Sequence, residues 1–133
     1  MELILYTDGG SRGNPGPAAW GFVIYQDRKM IAERSGYLGI TTNNVAEYTA
    51  CIEGLQYILT TWGANQIVSC LADSKLMVEQ VKGNYKIKAP HLKPLISSIR
   101  QLCEHQKSVH FGHIPRERNY EADRMVNQEL DRH

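Results

Sequence analysis

Four acidic side chains stand where the local pattern calls for apolar residues or plain turns. Asp8 closes the run Leu3-Ile4-Leu5-Tyr6-Thr7, in phase with Ile4 and Tyr6, so its carboxylate leaves the same face of a strand as those side chains. Asp73 closes a second apolar run, after Cys70-Leu71-Ala72. Glu47 shares a helical stripe with Cys51, Gly54 and Ile58, and Asp123 shares the equivalent stripe with Asn119, Val126 and Leu130. Two helices thus each aim a carboxylate at the face that should be buried. Removing an unpaired carboxylate from water costs several kcal/mol, so it is protonated, paired or bound to metal. Taken singly, Asp8, Asp73 and Asp123 can be read as turn or helix-end residues. For Glu47 that reading is weaker, because Asn43 or Asn44 already supplies a cap. Four together point to a cation site. Hard oxygen ligands without convergent His or Cys suit Mg²⁺ or Mn²⁺ rather than Zn²⁺. Such a cluster can hold two ions about 3.5–4 Å apart, activating water and stabilising the leaving oxygen in phosphodiester cleavage.

The elements that must position these acids follow from periodicity and turn residues. Leu3 to Thr7 reads as a strand stopped by Asp8-Gly9-Gly10, and the stretch on to Pro17 is too rich in glycine and proline for the interior of a helix or strand. Ala19 to Tyr25 and Met30 to Leu38 read as two further strands around the turn Gln26-Asp27-Arg28-Lys29, the short connections of an antiparallel meander. Helical spacing runs from Asn43 or Asn44 to about Thr60, with Ala46, Cys51, Leu55 and Ile58 on one face. Ile67 to Ala72 is a short apolar strand, and Ser74 to Val81 a helix. Pro90 can open a third helix carrying Leu92, Leu95, Ile96, Ile99 and Leu102. Val109 to Ile114 is a last strand and Asn119 to Leu130 a last helix. A meander followed by strand–helix alternation predicts an α/β fold with a mixed sheet and helices packed on it.

Composition bounds the function. The 133 residues, 42% of them hydrophobic, predict one domain, residues 1–133, with a single core. A net charge of +1 excludes a polyanion-binding tail, though not a locally basic face. From Gln80 to Cys103 there is no acid, while Lys82, Lys86, Lys88, Lys93 and Arg100 fall there. Cys51, Cys70 and Cys103 lack metal-ligand spacing and sit among apolar residues, as buried reduced thiols of a cytoplasmic protein do. The first apolar run is too short to cross a membrane and has neither a charged leader nor a cleavage site, so a soluble protein, most simply a monomer, is expected. The glycine-rich stretch matches neither G-x-G-x-x-G nor G-x-x-x-x-G-K-[ST] and is not a nucleotide loop. Trp20 and Trp62 read as packing rather than base-stacking residues.

Four blocks in order resemble the type 1 ribonuclease H family: Thr7-Asp8-Gly9-Gly10-Ser11-Arg12-Gly13-Asn14-Pro15-Gly16, Thr41-Thr42-Asn43-Asn44-Val45-Ala46-Glu47-Tyr48, Ala72-Asp73-Ser74 and Asn119-Tyr120-Glu121-Ala122-Asp123. The resemblance spans nearly the whole chain. It implies that Asp8, Glu47, Asp73 and Asp123 are catalytic, metal-binding acids, with Mg²⁺, or Mn²⁺ in its place, as two ions beside the substrate. It implies a five-stranded ribonuclease H-like sheet with helices on both faces, its first three strands antiparallel and the first beside the fourth. The implied reaction is internal hydrolysis of the RNA strand of an RNA–DNA hybrid, leaving 5′-phosphate and 3′-hydroxyl ends. Asn14 and Asn43 match asparagines that read the minor groove, where the 2′-hydroxyl marks RNA. Thr42 matches a holder of a DNA-strand phosphate. Lys75 stands where many relatives have a glutamine, so its contact would be to phosphate or base edge, and with Gly9 and Arg116 it completes the expected substrate-binding positions.

Two departures from the family pattern matter. Lys82-Gly83-Asn84-Tyr85-Lys86-Ile87-Lys88 leads almost directly to Pro90, so the basic helix and loop with which many bacterial members grip the duplex is missing, as in the archaeal and plant-like subgroup. The acid-free segment can supply that grip, and additional activity on double-stranded RNA stays open. The loop before the last helix, Ile114-Pro115-Arg116-Glu117-Arg118, is short and lacks the histidine that many relatives carry there. His113 is therefore expected to be structural, with Arg116 or Arg118 meeting the phosphate. The rivals are a non-catalytic hybrid-binding domain and a DNA-strand nuclease with the same carboxylate fold.

Overall fold

A computed structural model describes residues 2–133. Strand β1 (Glu2–Ser11) lies at the centre of the sheet. It pairs antiparallel with β2 (Gly16–Gln26), which pairs antiparallel with β3 (Lys29–Thr41). Between β2 and β3, Asp27 and Arg28 have φ of 50° and 68°, the left-handed pair that lets a two-residue hairpin follow the right-handed strand twist. On its other side β1 runs parallel to β4 (Ile67–Ala72), and β4 parallel to β5 (Ser108–His113). The order β3-β2-β1-β4-β5 makes the mixed five-stranded sheet that the family resemblance implies, with β5 beside β4 at the edge.

Strand β1 does not stop at Asp8. It continues to Ser11, because Gly9, Gly10 and Ser11 keep their ladder with Trp20, Ala19 and Ala18 of β2. Only the pairing to β4 ends early, at Thr7 and Ala72. Asp8 and Asp73 are thus the next residues on two adjacent parallel strands, where the sheet opens.

Odd-numbered residues of β1 face helix α1 (Asn43–Trp62), and even-numbered ones face the opposite side. Leu3 and Leu5 join Phe22, Ile24, Val68 and Cys70 beneath Cys51, Leu55 and Ile58, with Ile96 and Ile99 of α3 (Lys93–Glu104) behind them. Fully burying each such Leu or Ile contributes about 1.5–3 kcal/mol. The far face is covered by α4 (Tyr120–Asp131), whose Val126 and Leu130 pack on Ala19. Two glycines let the helices approach. A methyl group at Gly9 would lie 2.2 Å from the Ala46 carbonyl carbon, and one at Gly21 would lie 2.8 Å from the Met125 Cβ. Cys51 and Cys70 are fully buried and unpaired, Sγ to Sγ 3.7 Å, whereas Cys103 is only partly buried.

Helix α2 (Lys75–Lys82) starts at Ser74, whose Oγ accepts from the Met77 N–H at 3.2 Å, and closes at Gly83 in the left-handed region. Pro90 opens a single 3₁₀ turn, Pro90–Leu92, and α3 begins only at Lys93, because Pro94 takes the first-turn position. The acid-free connection between these helices is pinned from below. Tyr48 OH donates to Gln80 Oε1, and Gln80 Nε2 donates to the Lys86 carbonyl at 3.3 Å. Among the described residues no helix is long and apolar enough to cross a membrane.

Candidate active site

All four acids line one cleft of about 510 Å³ where β1 and β4 part. Asp8 comes from β1, Asp73 from the end of β4, Glu47 from the second turn of α1 and Asp123 from the first turn of α4. The same cleft is bordered by Gly9, Gly10, Ser11 and Arg12 of the β1–β2 hairpin, by Asn43 and Ser74, and by Arg116. Helix α1 can bring Glu47 to β1 only because Gly9 carries no side chain, its methyl-free Cα lying under the Ala46–Glu47 peptide. On the other face Gly21, directly opposite Asp8 in the ladder, admits α4 and hence Asp123.

The electrostatics are those of a site with surplus negative charge. Burial pushes the Asp8 carboxyl up to about 8, helped first by the Asp73 charge and then by a hydrogen bond and charge from Asp123. Glu47 is also raised, chiefly by burial and further by Asp73, against the lowering effect of the Ser74 hydroxyl. Among the described residues no three carboxylate, imidazole or thiol groups are drawn into a ready-made metal cage. The acidic donor set around the cleft is nonetheless all hard oxygen, with neither His nor Cys among its lining residues. These residues fit a divalent ion of the Mg²⁺ or Mn²⁺ type.

The family model described as reverse transcriptase-like matches residues 6–129. A crystal structure of ribonuclease H1 from the halophilic archaeon Halobacterium salinarum superposes with a TM-score of 0.94 at 34% identity, covering 100% of both chains. The chain belongs to the ribonuclease H family. Two other solved members are nearly as similar in shape. The N-terminal ribonuclease H domain of a Mycobacterium tuberculosis protein has a TM-score of 0.92 at 39% identity, over 98% of this chain and 100% of that one. The ribonuclease H1 called LC11, solved with an RNA/DNA hybrid, has a TM-score of 0.92 at 42% identity, over 98% and 97%. The chain spans about a third of the length of the curated mycobacterial relatives it matches (36%), at 40% identity over 98% of its own.

Within this ribonuclease H fold the substrate positions read from the sequence divide into two groups. Gly9, Asn43 and Arg116 border the cleft. Asn14, Thr42 and Lys75 do not; Asn14 holds the hairpin to α1, and Thr42 caps that helix. Asn14 Oδ1 accepts from the Asn43 N–H at 3.1 Å, and Asn43 Oδ1 accepts from the Ser11 N–H at 2.8 Å and its hydroxyl at 3.0 Å. The α1 cap is neither asparagine but Thr42, whose Oγ1 accepts from the Val45 N–H at 3.3 Å, which frees Asn43 for the hairpin. Lys75 is exposed at the start of α2. His113 is the exposed last residue of β5, level with Ala72, and together with Arg118 lies outside the cleft.

Two polar residues at the site carried no role in the sequence reading. Arg12 borders the cleft and its Nη2 is 2.5 Å from Asp131 Oδ1 at the far end of α4. Asn119 figures in the sequence pattern as the start of the last helix, part of its buried stripe and the head of the fourth family block, with no role of its own. Its side chain reaches Thr7, more than a hundred residues away, so no local pattern could have found the pair.

Proposed function

We propose that this cleft hydrolyses the RNA strand of RNA–DNA hybrids internally, leaving 5′-phosphate and 3′-hydroxyl ends. The observation that carries the reading is the convergence of four carboxylates from four separate elements on one cleft, at a site already overloaded with negative charge. The hybrid-bound LC11 relative supports the substrate class. Asp8, Glu47, Asp73 and Asp123 would hold two Mg²⁺ ions, or Mn²⁺ in their place, which when bound supply an activated water and a stabilised leaving oxygen. The acids come from residue 8 and residue 123 alike, so residues 1–133 act as one catalytic unit. Burial keeps Asp8 and Glu47 short of bulk water, so each prefers a cation or a proton over free ionisation.

The rest of the chain orients the duplex. Asn43, and Asn14 through it, present amide groups to the minor groove, where 2′-hydroxyls distinguish RNA from DNA. Arg116 and Arg12 are the two cations bordering the cleft, one at each end of α4, and they hold backbone phosphates on either side of the acids. Thr42 and Lys75 meet the DNA-strand backbone. The exposed, pinned lysines Lys82, Lys86 and Lys88 replace the missing basic handle. A monomer in a reducing cytoplasm accords with the unpaired buried thiols.

The test is cleavage of end-labelled RNA–DNA hybrid, RNA duplex and DNA duplex, each with Mg²⁺, Mn²⁺ or chelator. Internal cuts in the RNA of the hybrid, lost with chelator, are expected. Equal cutting of DNA duplex and hybrid would overturn the specificity, and cutting of RNA duplex would extend it to a second substrate.

A further inference from the structure

Asn119 stands at the N-cap position of α4, but with φ −107° and ψ 23° rather than the extended backbone usual there, and its side chain makes no capping bond to the helix. An Asn in that position ordinarily accepts from an N–H of its own helix. Here the amide turns inward instead, with the residue 1% exposed. Its Nδ2 donates to the Thr7 carbonyl at 2.9 Å and to Asp73 Oδ2 at 3.4 Å. Its backbone is engaged as well. The Asn119 carbonyl accepts from the Asp123 N–H at 3.0 Å, and its own N–H donates to the Arg116 carbonyl at 3.0 Å. One residue therefore touches the peptide preceding Asp8, the carboxylate of Asp73, the helix turn that carries Asp123 and the short turn that carries Arg116.

From this geometry we infer that Asn119 is the positioning residue of the site: its amide fixes the spacing of Asp8, Asp73 and Asp123 and gives up its own helix cap to do so. The inference rests on the catalytic reading of the cleft. Asn119 does not border the cleft and so does not itself meet substrate. Its chemistry fits the task. A neutral N–H donor satisfies one oxygen of Asp73 without cancelling its charge, which leaves the carboxylate available to a cation. A positively charged residue at the same place would neutralise Asp73 and compete with that cation. A carboxylate there would add a further repulsive acid. Of the polar side chains of this size, the amide alone joins β1, β4 and α4 while leaving the charge of the site unchanged. Its Oδ1 is buried and has no hydrogen-bond partner among the described residues, a cost borne at the junction of the three elements.

The experiment compares Asn119→Ala and Asn119→Asp with Ile99→Ala, a core substitution on α3 remote from the cleft that lowers stability for packing reasons alone. Three readouts are taken well below each melting temperature: kcat and KM on the hybrid, Mg²⁺ affinity by calorimetry without substrate, and the melting curve. Both Asn119 variants should lose about ten- to a hundredfold in kcat and in Mg²⁺ affinity, with KM for hybrid nearly unchanged. Ile99→Ala should melt lower yet keep both quantities. Asn119→Asp preserves volume, so it keeps the test open if the alanine variant folds poorly. Retention of kcat and Mg²⁺ affinity within twofold by either Asn119 variant would overturn the assignment, as would losses that merely follow the unfolded fraction. Because Mg²⁺ affinity is read without nucleic acid, a wild type that binds Mg²⁺ but ignores hybrids would refute the substrate and leave the positioning role to be judged by the calorimetry.

Discussion

The two ends of the same pair of strands are built on opposite terms. At one end of β1 and β4, Leu3, Leu5, Val68 and Cys70 are sealed under α1, apolar and fully buried. A few residues further along each strand, Asp8 and Asp73 face a cleft where acids crowd one another, and behind it the buried Thr7 hydroxyl and Asn119 Oδ1 have no hydrogen-bond partner among the described residues. Helix α1 repeats the contrast, with Cys51, Leu55 and Ile58 in the core and Glu47, one turn earlier, at the cleft. The first end is arranged for stability and the second against it. A core that gains about 1.5–3 kcal/mol per large side chain can hold a few carboxylates in positions they would leave if free.

Substitutions at the two ends should therefore separate activity from stability. The largest effect is expected at the acids. Asp73→Asn should lower turnover by about a thousandfold or more, while hybrid affinity stays within about tenfold, because groove and phosphate contacts come from other side chains. Fluorescence anisotropy alongside single-turnover cleavage checks both, and a parallel collapse of affinity would mean that Asp73 holds substrate or fold. At the core end the effects should invert. Leu5→Ala is expected to cost about 2–5 kcal/mol of stability in denaturant titration, with kcat of the folded fraction nearly unchanged. Loss of kcat there would show that the two ends are not separable.

Smaller changes are expected around the rim. Arg12→Ala should raise KM for hybrid a few-fold and reduce the slope of log affinity against log salt by about one, as loss of one phosphate contact does. An unchanged slope would leave Arg12 as a partner of Asp131 alone. His113→Ala should alter turnover least, since its side chain is exposed at the end of β5 and outside the cleft. A loss as deep as that of Asp73→Asn would assign it a place in the chemistry.

How legible each region was from sequence follows from the range of its determinants. Strand β4 falls on the residues expected, Ile67 to Ala72, because its pattern is local and bounded by turns. The family resemblance implied the antiparallel first three strands and the first beside the fourth, and the helical stripes placed Glu47 and Asp123, but the place of β5 beside β4 had no local signal. Ends decided by pairing were misread. Gly9 and Gly10 look like a stop, but the ladder to Ala18, Ala19 and Trp20 carries β1 through them. Thr42 rather than Asn43 or Asn44 caps α1, because the hairpin claims the Asn43 side chain. Pro90 begins a 3₁₀ turn instead of α3, since Pro94 fixes the later start. The roles of Asn119 and Arg12 depend on partners 112 and 119 positions away, at the opposite end of the chain.

The contrast between the two ends is tested most directly by the pH dependence of stability in metal-free protein. Asp8 is held at about 8 in the folded state, against 3.8 for an ordinary Asp side chain. The folded form therefore binds a proton that the unfolded chain has released between those values. The stabilisation from that proton is complete below pH 4 and is lost as the pH rises through 8. Asp8→Asn removes the group, so in chelator its melting temperature should exceed that of wild type near pH 8, by on the order of 5 °C. The gap should shrink towards pH 4. Mg²⁺ should raise wild type more than the variant, which lacks a ligand. Melting curves of the two proteins that differ by the same amount at every pH, and respond equally to Mg²⁺, would contradict a coupled carboxylate site.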